Sequence, residues 1–188
     1  MSGREVMREF HLTLTDEEKR FCKELARYAI ACGLGRAGEK PVCESDTLRA
    51  ELGAFVTLKK GGQLRGCMGN VTGDGPLAVT IERMARVSAF EDPRFPPVSA
   101  GEAGELDVEI SVMGPLTPCP DPELIEIGRH GLYVRKSIHA GLLLPQVAVE
   151  QGWDRETFLD QTCVKAGLPK GSWRKPKTEI WWFEAVIF

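Results

Sequence analysis

Residues 64–69 read Leu-Arg-Gly-Cys-Met-Gly and place a thiol two residues after a guanidinium, with a glycine just before it and another two residues on. The thiolate is the nucleophilic form of cysteine, and a neighbouring cation favours that charged form. Cys67 is therefore the first candidate nucleophile, with Arg65 as the group that stabilises its thiolate or an anionic substrate. Gly66 and Gly69 allow a substrate to approach the backbone closely, and free N–H groups in such a bend can hold an anion. The competing reading makes Cys67 a small filler in a sheet, with glycines that only admit a neighbouring helix.

Two further groups offer chemistry. In Glu-Asp-Pro-Arg-Phe-Pro-Pro (91–97), Asp92 and Arg94 flank a proline in a stiff loop. There Arg94, with Asp92 beside it, can offer a two-pronged guanidinium to a carboxylate or phosphate at a cleft mouth. The alternative is a turn with a local ion pair, anchored by Phe95. His130, just before Gly-Leu, is a candidate general base for Cys67, and His139 is a second histidine of the same region. Glu109 shares a strand face with Asp107 and can meet Arg65 or Arg94 across a cleft as a substrate-binding carboxylate; a solvated strand face is the other account.

Positioning these groups requires ordered elements. Thr15 and Glu18 have capping-box spacing at the start of a helix whose stripe is Phe21, Leu25, Tyr28 and Cys32, ended by Gly33. Gly61-Gly62 suits the tight turn of a hairpin over residues 54–68. That turn pairs Val56 with Cys67 and Leu58 with Arg65, so Cys67 and Arg65 share one face. Pro76 opens a helix buried through Leu77, Ile81, Met84 and Val87/Ser88, and the prolines of 93–97 stop it. Leu-Asp-Val-Glu-Ile-Ser-Val-Met (106–113) alternates as a half-buried strand should. Two short strands flank Ile-His-Ala at 138–140. A helix begins at Pro145, and another capped by Asp154 runs to Gly167 with Leu159, Cys163 and Ala166 inward. The run Thr-Glu-Ile-Trp-Trp-Phe-Glu-Ala-Val-Ile-Phe (178–188), apolar on both faces, predicts one strand deep inside a sheet. Interspersed helices and hairpin-like strand pairs give an α+β fold with a mainly antiparallel sheet.

Composition narrows the function classes. With 43% apolar and 27% charged residues, the 188-residue chain is that of a globular protein with a real core. A net charge of −3 leaves no broad basic surface for phosphates, which disfavours nucleic-acid binding; Lys59, Lys60 and Arg65 form at most a local patch. The six cysteines, at 22, 32, 43, 67, 119 and 163, contain no CxxC pair, so no disulfide framework, metal site, iron–sulfur cluster or other cofactor is expected. The polar N-terminal segment and the lack of a long apolar run predict no membrane span and a cytoplasmic protein.

Six ordered blocks resemble a known family: GAFVTLKKGGQLRGCMG, AFEDPRFPPVS, LDVEISVM, HGLYV, GLLLPQVAVEQGWDRETFL and CVKAGLP. They are similar to the AMMECR domain family, whose bacterial and archaeal members are called AmmeMemoRadiSam system protein A. The likeness runs from about Leu14 to Phe188, so residues 1–188 are expected to form a single domain of that type. The family's Leu-Arg-Gly-Cys-Ile-Gly signature stands here as Leu64 to Gly69, with Met68 a volume-conserving change. The resemblance implies a two-lobed α+β arrangement with the signature near the cleft, and it implies a fold rather than a reaction. It also suggests partners from shared gene neighbourhoods, a Memo-type protein and a radical-SAM enzyme. The expectation is an enzyme or enzyme component centred on Cys67, with Arg65, His130, Asp92, Arg94, Gly66, Gly69 and Glu109 around it. The alternative is a non-catalytic accessory or substrate-binding subunit for such a partner.

Overall fold

The computed structural model describes residues 12–36 and 38–188. The first helix, α1 (Asp16–Gly33), starts where the sequence says it should. The Thr15 hydroxyl accepts from the Glu18 N–H at 3.2 Å, and the Glu18 carboxylate accepts from the Thr15 N–H at 2.7 Å. Both end groups are thus satisfied reciprocally. Phe21, Cys22, Leu25, Ala26, Ala29 and Ile30 are buried, while Tyr28 and Cys32 are only half-buried, so the inward stripe is centred one position away from the one predicted. Truncating the cap, Thr15→Ala, is expected to lower stability by about 1 kcal/mol, read as a shift in the urea midpoint.

A short helix α2 (Asp46–Arg49) leads into strands β1 (Gly53–Lys60) and β2 (Gln63–Asn70), then α3 (Leu77–Phe90) and β3 (Leu106–Met113). The first sheet is completed by the last strand, β8 (Ala185–Ile187), in the order β2-β1-β3-β8. Helices α1 and α3 cover one of its faces, and Ala54, Val56, Leu58, Leu106, Val108, Ile110 and Val112 point into that core. The alternation predicted for β3 holds, because its even-numbered residues face the helices.

The second sheet comprises β4 (Thr117–Pro118), β5 (Gly131–Lys136), β6 (His139–Leu143) and β7 (Glu179–Phe183), ordered β4-β7-β5-β6. Helices α4 (Pro145–Glu150) and α5 (Arg155–Lys165) pack on it around a separate core of Ile125, Leu132, Ala148, Phe158 and Leu159. Every strand pairing among the described residues is antiparallel, so the chain is an α+β protein with two antiparallel sheets.

Two sequence expectations fail for physical reasons. The terminal apolar run is not one strand: it breaks at Glu184, with β7 central in the second sheet and β8 at an edge of the first. A run apolar on both faces cannot reveal such a change of sheet, because both halves need the same composition. The hairpin register also changes. It starts as the Gly61-Gly62 turn requires, with Lys60 opposite Gln63 and Lys59 opposite Leu64, but a β-bulge follows. Leu58 then pairs with Gly66, Thr57 with Cys67 and Val56 with Met68. One extra residue on β2, Arg65, moves everything beyond it to the other face.

Candidate functional site

The bulge separates the two residues of the opening motif. Cys67 lies opposite Thr57, on the face of the first sheet away from α1 and α3, and the Thr57 hydroxyl donates to Cys67 Sγ at 3.2 Å. Thr57 in turn lies opposite Glu109 of β3, so thiol, hydroxyl and carboxylate form one row across three strands. Glu109 does not meet Arg65 or Arg94; it pairs with Lys59 at 2.9 Å. That hydrogen bond raises the Lys59 pKa, and the charges of Glu150, from the second lobe, and Asp107 add to it.

Arg65 turns elsewhere. Its Nε and Nη2 hold Glu102 at 3.2 and 2.8 Å, and its guanidinium lies 6.0 Å from the centre of the Phe95 ring. That pairing, followed by a bond from the Ser99 N–H, brings the Glu102 pKa down to about 2. The predicted role of Arg65 as the cation beside the sulfur is therefore corrected: its charge is committed to Glu102.

The cation at Cys67 is Arg94. Asp92, only 4% exposed, accepts from Arg94 Nε at 2.9 Å, from Arg94 Nη2 at 2.7 Å and from the Cys67 N–H at 2.9 Å. Arg94 Nη2 also donates to the Cys67 carbonyl at 2.9 Å. The Arg94 hydrogen bond, reinforced by the Cys67 N–H, holds the Asp92 carboxyl well below the usual carboxylate range despite its burial. Arg94 is raised in return, first by its hydrogen bond to Asp92 and then by the charge of that carboxylate. Because β2 is an edge strand, Asp92 and Arg94 together occupy the outward N–H and C=O of Cys67, as a further strand would. Phe95 lies under the Arg94 guanidinium at 5.5 Å.

Helix α3 supplies the rest of the grip. The Ser88 hydroxyl accepts from the Met68 N–H at 2.9 Å and donates to the Val56 carbonyl at 2.7 Å, bridging β1 and β2 just past the bulge. Gly66 makes this possible, since a Cβ there would stand 2.2 Å from the Ser88 carbonyl oxygen. Gly66 thus admits a neighbouring helix, the structural alternative of the sequence reading. Gly69 lies on the Cys67 face, where the Phe55 ring covers it. Thr57, Ser88 and Glu102 were not singled out by sequence reasoning. Thr57 carried no signal without the bulge, and Ser88 was visible only as one polar residue on the buried side of α3.

His130 is not brought to this row. It is 7% exposed in the second lobe, stacked 4.4 Å from Trp182, and its Nδ1 accepts from the Glu126 N–H. The hollow of about 270 Å³ lined by Arg27, Ile30, Leu34, Leu106 and Val108 belongs to the helix-covered side of the first sheet, the face opposite to Cys67. Among the described residues, no cluster of His, Cys, Asp and Glu is placed to hold a metal ion, and no helix is long and apolar enough to cross a membrane.

Residues 23–188 match the sequence model of the AMMECR1 family. The chain belongs to the AMMECR1 family. Archaeal relatives span nearly their whole length with it. A protein from Thermococcus gammatolerans is 44% identical, the alignment covering 93% of this chain and 91% of that one. Protein NEQ441 of Nanoarchaeum equitans is 39% identical over 90% of this chain and 96% of its own. The crystal structure of the uncharacterised protein PH0010 from Pyrococcus horikoshii superimposes with a TM-score of 0.81 at 42% identity, covering 93% of this chain and 92% of that one. The AMMECR1 assignment rests on nearly the full chain, and it carries the fold.

Proposed function

We propose that this AMMECR1 protein is a thiol-dependent enzyme or enzyme component that acts through Cys67. The observation that carries the reading is the Arg94 guanidinium, pinned by the buried Asp92 and bonded to the carbonyl of the residue that bears a half-buried thiol. In this reading the thiol proton leaves to solvent and the sulfur adds to an electrophilic carbon. The displaced electron pair moves onto the substrate's oxygen, where the unused edge of Arg94 receives it. Thr57 steadies the sulfur, and the Glu109–Lys59 pair lines the next step of the same face as the place for the substrate's polar tail. Single domain organisation over residues 1–188 is part of the same proposal.

Alkylation tests it. With iodoacetamide at pH 8, mass spectrometry should find Cys67 modified first. Burial pushes Cys22 up to about 12 and Cys119 up to about 11, and it raises Cys163 as well. At a pKa near 12 only about one thiol in ten thousand is ionised at pH 8. Arg94→Gln should slow Cys67 labelling by about tenfold while leaving Cys32 and Cys43 unchanged. Labelling of Cys67 no faster than Cys32 and Cys43, or indifferent to Arg94, would remove the enzymatic reading.

A second reading has its own observation. It is the backbone of Cys67, through both N–H and C=O, that holds the Asp92–Arg94 pair, so the motif can serve folding alone. The chain would then be an accessory subunit for a Memo-type or radical-SAM partner. A Cys67→Ser chain that supports such a partner's turnover in full selects this reading.

A further inference from the structure

Of the four sheet edges among the described residues, three are blunted. The β2 edge is occupied at Cys67 by Asp92 and Arg94, β4 is two residues long and contains Pro118, and β8 has three residues. The fourth, β6, is five residues of His-Ala-Gly-Leu-Leu with no lysine, acid or proline. Proteins protect exposed edges with such residues because an open edge templates strand pairing. An edge left bare while the other three are closed is an edge kept for use.

Its geometry is readable. The two-residue turn at 137–138 makes Lys136 and His139 the closing pair of the hairpin. Alternation then turns the N–H and C=O of Ala140 and Leu142 outward, where no other described segment bonds to them. On one face, Ala140 and Leu142 align with Arg135 and Tyr133. On the other, the backbone of Lys165 and Ala166 packs against Gly141, so the end of α5 borders the edge. The charge of Lys136 reaches this α5 side, at Cys163. Residues 165–177 hold Lys165, Lys170, Arg174, Lys175 and Lys177 and no acid. Neither Lys136 nor Lys165 has a carboxylate at ion-pair distance among the described residues. At the turn, Ile138 is 91% exposed.

We propose that β6 is a strand-addition site for an extended acidic segment of a partner protein. The added strand pairs with the outward groups of Ala140 and Leu142. Its side chains alternate, acidic toward Lys136 and Lys165 and apolar toward Leu142 and Tyr133. A second copy of this chain is the poorer occupant, because pairing two β6 edges brings two cationic rims together.

The test uses the full chain and two nine-residue peptides, one alternating glutamate with valine and one alternating lysine with valine. Binding is followed by fluorescence anisotropy, and amide exchange is read at residues 139–143. The glutamate peptide should bind, protect the Ala140 and Leu142 amides, and weaken as salt rises. Ala140→Pro removes an outward donor without touching the β5–β6 ladder and should abolish binding at unchanged melting temperature. Lys165→Glu, on the helix, should lower affinity for the glutamate peptide about tenfold and raise it for the lysine peptide. Equal binding of both peptides, no protection at 140 and 142, or wild-type affinity in both variants overturns the proposal. Protection of the same amides by self-association without peptide would also overturn it, in favour of a second copy.

Discussion

Asp92→Asn is expected to lose about 2–3 kcal/mol of folding stability at pH 7, seen as a fall in the urea midpoint without a change of slope. The carboxylate joins four donors, the Cys67 N–H, the Arg94 N–H and the Nε and Nη2 of Arg94. An amide oxygen can still accept from the two donors on one side, but the N–H₂ that replaces the other oxygen faces the remaining two. The loss stays at the low end for a buried pair because Arg94 is half-exposed and recovers water. The pH dependence distinguishes this from a packing defect. The folded pKa of Asp92 lies below its unfolded value near 4, so its contribution is fully present above about pH 4. It disappears as pH falls through the depressed folded value. Wild type and variant should therefore differ at pH 7 and converge in strong acid. A gap that stays constant down to the acid limit would mean that Asp92 acts through packing rather than charge.

The second large effect falls on Gly66→Ala. The new methyl would stand 2.2 Å from the Ser88 carbonyl oxygen, an atom of the α3 backbone that cannot rotate aside. Either β2 or α3 must shift, and the Ser88 bridge between Met68 and Val56 shifts with it. Overpacking of this kind costs about 1–3 kcal/mol, and a backbone obstacle places it at the upper end. Gly104→Ala is the control: nothing lies within 4 Å of the added atom, and its stability should stay close to wild type. Thermal unfolding of the pair decides, and similar melting temperatures would mean that β2 is looser against α3 than the contact implies.

How far the sequence led can be traced residue by residue. Local signals were read correctly where the partner lies within a few positions: the Thr15–Glu18 box, the Gly61-Gly62 turn, the alternation of 106–113, and Asp154 at the head of α5. They failed where the deciding contact is distant. Arg65 is the bulge residue of β2, and the glycine after it packs on Ser88, 22 residues later in the chain and on another element. The Asp92–Arg94 pair was visible as a turn, but its attachment to Cys67 spans 25 residues. Composition says which side chains could do chemistry; which of them share a face was decided by one extra residue in a strand.

The break of the final run at Glu184 bears on how the molecule is made. Strand β8 adds to β3, whose pairing partner Ser111 precedes Ile187 by the entire second sheet. Chains leave the ribosome from the N-terminus. The sheet that carries Cys67 begins to form early in synthesis, yet it waits for residues 185–187 to emerge before it closes. The first sheet is thus begun before the second and closed after it, its side on β3 open throughout translation of everything between.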